Sequence, residues 1–112
     1  MSLYDVWRAA GRQDCVNAID LDEIEERTED VLERGRDARL LACLANPSDA
    51  GLRHAQRIAV TELLLEGRAV WMSQHALDVY ADGLEPAKAW KAWQSSWTEC
   101  ALDLLRTQTR FP

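Results

Sequence analysis

Histidine and glycine are scarce in this 112-residue chain, and each scarcity removes a class of function. His54 and His75 are its two histidines. Neither lies in an H-x-x-x-H or E-x-x-H arrangement, so the ligand sets of zinc proteases and di-iron bundles are missing. Five glycines, never grouped, leave no phosphate-cradling loop and no dinucleotide fingerprint, and no G-x-S-x-G elbow occurs. Cys15, Cys43 and Cys100 are odd in number and widely spaced, with no C-x-x-C pair, so the sequence suggests reduced, mostly buried thiols rather than a disulfide framework or a zinc ribbon.

Long apolar runs are missing as well. The longest is Leu40 to Ala45, far short of the roughly 18 residues of a membrane span. The first residues carry Asp5 early and have no apolar signal region, which gives the expectation of a cytoplasmic protein. Bases do not outnumber acids: the formal net charge is −6 and the pI is near 4.8. That disfavours direct nucleic-acid binding, which relies on Lys and Arg to displace counterions, and docking on an anionic membrane. With so few catalytic side chains able to converge, the chain is expected to be no enzyme, with no metal and no cofactor.

What is present is helical. Apolar residues make up 47% and charged residues 29%, which is globular composition, and the length suits one domain spanning residues 1–112. No segment alternates with the period of a strand, and no long repeat is visible. Ser2, Asp5 and the spacing of Leu3, Val6, Trp7 and Ala10 predict a short first helix ending near Gly11. Residues 12–19 lack periodicity, so the stretch 1–18 is expected to be a short helix and a candidate mobile arm.

Asp20 with Glu23 forms a variant capping box, and Leu21, Ile24, Thr28, Val31 and Leu32 then recur at helical spacing, predicting a second helix over 20–45 weakened at Gly35. Asn46-Pro47 stops it and starts a third over 47–82. This third helix is apolar around most of its circumference, through Ile58, Val60, Leu63, Leu64, Val70, Trp71, Leu77 and Tyr80 among others, which predicts a central element or a second buried surface in a homodimer. Asp82-Gly83 ends it, and Pro86 opens a fourth helix running to about Thr109. The expected fold is all-α, a small antiparallel bundle of about four helices around a long third one.

Two features point outward. Trp90, Trp93, Trp97, Ala101 and Leu104 follow one another at spacings of three and four, an arc of only about 80°. Such a stripe is either core or a partner-binding face, since Trp is common among interface hot spots. Trp90, Trp93, Trp97 and Leu104, with Trp71 of the third helix, are the apolar candidates for partner binding. The second feature is charge. Residues 20–33 hold eight carboxylates against one base, Arg27, while the rest of the chain is close to neutral. Glu23 with Arg27 and Asp30 with Arg34 suit i, i+4 pairing. The surplus, through Glu25, Glu26, Glu29 and Glu33, is either a solvated face or an acidic patch that docks a basic protein surface.

Together these features predict a non-enzymatic protein–protein interaction module that sequesters another protein. In general character it resembles the small acidic inhibitors and antiactivators of phage and bacterial regulatory systems. An alternative comes from residues 76–108, where a Gly-Leu-Glu-Pro break precedes an amphipathic helix containing Ala and Gln. This stretch resembles phasins, which coat polyester storage granules, and the likeness implies an amphipathic coat protein. A helix-turn-helix regulator ranks last, because no recognition helix is basic.

Overall fold

The computed structural model describes residues 2–35 and 49–108, and these residues are all-helical, with no strand among them. Five helices follow one another: α1 (Tyr4–Ala18), α2 (Leu21–Gly35), α3 (Asp49–Glu66), α4 (Arg68–Ala81) and α5 (Pro86–Gln108). The later part of the expected second helix, the Leu40–Ala45 run, Cys43 and the Asn46-Pro47 junction lie outside the described residues. None of the described helices is long and apolar enough to cross a membrane.

Local chemistry accounts for several helix ends. The Ser2 hydroxyl accepts from the Tyr4 N–H at 3.2 Å, while the Ser2 N–H donates to the Asp5 carboxylate at 3.1 Å. Asp20 caps α2, its Oδ1 accepting from the Glu23 N–H at 3.1 Å. The turn after α4 is a Schellman motif: Gly83 takes φ 70°, its N–H donates to the Tyr80 carbonyl, and the Leu84 N–H donates to the Val79 carbonyl. Only glycine adopts that φ without strain, and Pro86 then begins α5.

Two expectations about continuity are corrected. The first helix does not stop at Gly11 but runs through it to Ala18, with Gly11 buried in its interior. The long third helix is two helices that meet at Gly67, whose N–H donates to the Leu64 carbonyl in a tightened final turn. Glycine costs about 1 kcal/mol in a helix interior, and here it marks the junction.

The chain divides into two compact units. One joins the N-terminal stretch through Ile19 with the residues from Leu64 onward, and the other runs from Asp20 to Leu63. In the first, α5 is packed on both flanks. Its buried residues, Ala89, Trp90, Ala92, Trp93, Thr98, Ala101 and Leu105, cover far more of its circumference than the tryptophan stripe alone. α1 supplies Trp7, Gly11 and Cys15 in an i, i+4, i+8 row, and α4 supplies Trp71 and Val79.

α1 and α5 run in the same direction. Tyr4 meets Glu85, Gly11 meets Trp93 and Cys15 meets Cys100, a parallel register where an antiparallel neighbour was expected. The approach is close: a Cβ placed on Gly11 would lie 2.2 Å from the Trp93 carbonyl oxygen. The second unit has a core of Ile24, Thr28, Ala55, Ala59 and Val60, with the buried Thr28 hydroxyl donating to the Ile24 carbonyl at 2.7 Å.

Candidate functional site

The apolar candidates converge, but inward. Trp71, Trp90 and Trp93 are buried and form one cluster with Trp7 and His75. Trp71 is its hub, with ring centroids 5.4 Å from Trp7, 5.4 Å from Trp90, 5.7 Å from Trp93 and 4.9 Å from His75. Trp90 and Trp93 stack at 5.4 Å, and the Arg68 guanidinium lies 5.9 Å from the Trp90 ring centre. Trp97 and Leu104, further along the stripe, are half-buried. Trp7 was not singled out from the sequence, yet it completes the cluster. The signal that marks it is the row Trp7, Gly11, Cys15, one face of α1 at a spacing of four.

Polar atoms in the cluster are treated unequally. The Trp93 Nε1–H donates to Asp14 Oδ2 at 2.8 Å. The Nε1 atoms of Trp7 and Trp71 are buried with no hydrogen-bond partner among the described residues. Both indoles meet their neighbours edge to face, so ring faces are the weak acceptors this geometry offers. The cluster is a structural centre in which Trp7, Trp71, Trp90 and Trp93 are all buried.

The outer face of α4 is different. Ala69, Val70, Ser73, Gln74, Ala76, Leu77, Tyr80 and Ala81 are all exposed and none carries a charge. Val70 is 59% exposed, Leu77 86% and Tyr80 81%. Scattered apolar surface residues are ordinary, but an exposed face more than two turns long whose one flanking charge is Asp78 is unusual on a chain in which 29% of residues are charged. Leu77 and Tyr80 belonged to the circumference expected to be enclosed. Sequence reasoning counted them there because periodicity reports apolarity and not what covers it.

In the other unit Glu25, Glu26, Glu29 and Glu33 are exposed along α2. The two arginines of α2 reach across to α3: Arg34 Nη2 lies 2.8 and 3.0 Å from the Glu62 oxygens, and Arg27 Nη1 donates to Glu62 Oε1 at 3.3 Å. Arg34, then Arg27, hold the Glu62 carboxyl below the usual glutamate range against the opposing effect of burial. These residues with Asp30 and Glu33 line an open polar groove of about 360 Å³. Its cations are engaged by Glu62, and no Cys, Ser, Thr, His or Lys is among its described lining residues.

His54 and His75 belong to different units. His75 packs on the Trp7 and Trp71 rings. Among the described residues no three His, Cys, Asp or Glu side chains gather in a way that could hold a metal ion. No family model, curated protein or solved structure matches this chain.

Proposed function

We propose that this chain is a non-enzymatic protein-binding module, a small acidic regulator of the inhibitor or antiactivator kind that sequesters another protein. The observation that carries the proposal is the outer face of α4, where Leu77 and Tyr80 stand in solvent with no charge between Ala69 and Ala76 and a single flanking acid, Asp78, before Ala81. A rigid, half-apolar ring such as Tyr80 beside an aliphatic anchor suits an interface core, which excludes charge and favours aromatics.

The tryptophans then serve as scaffold. Trp71, on the inward side of the same helix, fixes α4 against α5 and so holds the outer face straight. The exposed carboxylates of α2 provide a second, electrostatic surface that suits a basic partner and speeds encounter at low ionic strength. A coat-protein role is less well supported, because the stretch that resembles phasins buries much of its apolar surface in α5, through Ala89, Trp90, Trp93 and Ala101.

The test is affinity capture from the native cell with the wild-type chain beside Leu77→Asp and Tyr80→Asp. The wild type retains a partner at fixed stoichiometry, and both variants lose it while their melting temperatures stay close to the wild-type value. Equal capture by all three removes α4 as the contact. Sedimentation equilibrium of the same samples separates a foreign partner from a homodimer: a second copy seated on this face gives a wild-type dimer that Leu77→Asp converts to monomer.

A further inference from the structure

Cys15 and Cys100 come from opposite ends of the chain and meet across α1 and α5. Both are free thiols, Cys15 fully buried and Cys100 half-buried. The Cys100 side chain is the neighbour of the Cys15 thiol across this helix pair. The two helices run parallel from the Gly11 crossing: Gly11 lies against Trp93, and Cys15, four residues further along α1, meets Cys100, seven residues further along α5. A disulfide needs Cα atoms roughly 4.4–6.8 Å apart, a spacing within reach of facing positions on closely packed helices, whose Cα atoms stand about 2.3 Å off each axis. The Gly11 crossing marks α1 and α5 as such a close pair: even a Cβ there would sit 2.2 Å from the Trp93 carbonyl oxygen.

We propose that Cys15 and Cys100 are a reversible redox pair, oxidised by small-molecule disulfides of the glutathione type to an intramolecular disulfide that staples α1 to α5 beside the tryptophan cluster.

Burial and the hydrogen bond to Cys100 push the Cys15 thiol up to about 12, so its thiolate is scarce and Cys100 reacts first. The Cys100 thiolate attacks one sulfur of the small disulfide, forming a mixed disulfide and expelling one small thiolate. The Cys15 sulfur then attacks the Cys100 sulfur. The bond to the small thiol breaks, and that thiol leaves with the Cys15 proton. Two protein thiols and one small disulfide become one protein disulfide and two small thiols, and the protein loses two hydrogens. The closed loop spans most of the chain, so the cross-link removes much of the freedom of the unfolded state. In a reducing compartment the pair rests as a dithiol, as redox-sensing cysteines do.

The experiment uses the full chain carrying Cys43→Ser, incubated with oxidised glutathione, quenched by alkylation and read by intact mass, peptide mapping and thermal melting. The expected product has lost two hydrogens, yields a Cys15–Cys100 linked peptide, and melts on the order of 10 °C higher until reductant is added. Adding Cys15→Ser arrests the reaction at the Cys100 glutathione adduct. Accumulation of that adduct without closure in the Cys43→Ser chain overturns the proposal, as does alkylation of both thiols or an unchanged melting temperature in the linked product. Peptide mapping of the wild-type chain reads the same linkage if Cys43→Ser does not fold. None of these readouts depends on partner binding.

Discussion

Gly11 shows how a single residue can reverse an ordinary rule. In an exposed helix, Gly→Ala stabilises by roughly 0.5–1 kcal/mol, because alanine gives up less backbone freedom on folding. Here the added Cβ would meet the Trp93 backbone at 2.2 Å, and a backbone carbonyl cannot swing aside as a flexible side chain can. Gly11→Ala is therefore expected to destabilise by about 1–3 kcal/mol, the usual cost of overpacking, measured by chemical denaturation. A second residue-scale prediction concerns the indoles. Trp93→Phe removes a satisfied donor and strips Asp14 of its partner, whereas Trp7→Phe removes an N–H that has no hydrogen bond to lose. The first should lower the melting temperature more than the second, since the half-buried Asp14 loses a hydrogen bond of the kind that contributes about 0.5–1.5 kcal/mol.

Among the helices, α2 is held to α3 through one carboxylate that serves two arginines. Because the folded state lowers the Glu62 pKa, Glu62 binds fewer protons folded than unfolded near its titration, so its contribution is present above the ordinary glutamate pKa and fades as the pH falls through the folded value. Glu62→Gln should thus lower the melting temperature at neutral pH, and the gap from the wild type should close in the acid range, as circular-dichroism melts across pH would show. α4 presents the opposite case. Its inner side carries Trp71 and Val79 and its outer side Val70, Leu77 and Tyr80, so substitutions separate by face. Trp71→Ala should cost about 3–5 kcal/mol as a large-to-small core change, whereas Leu77→Ser should stay within about 0.5 kcal/mol, both read by denaturant midpoint.

For the whole molecule, the charge is unevenly placed. The surplus carboxylates lie in the unit from Asp20 to Leu63, and the tryptophan cluster lies in the other. Binding to a basic partner through α2 should weaken steeply as salt rises, whereas binding through the α4 face alone should hardly change; titration calorimetry at several salt concentrations distinguishes them. Helix identity, the Asp20 cap, the Gly83 turn and the Pro86 start were legible in the chain, because spacing and capping are properties of neighbours within a few residues. Gly11 was misread as a stop and Trp7 passed over, because their meaning depends on Trp93 and Trp71, far away in sequence. Apolar periodicity could say that Leu77 and Trp71 share a helix. It could not say which would be covered, since burial depends on where another helix lies. The all-helical character and the local ends thus follow from short-range chemistry. The parallel docking of α1 on α5, the Cys15–Cys100 meeting and the bare face of α4 arise from long-range packing, where one missing Cβ lets two backbones touch.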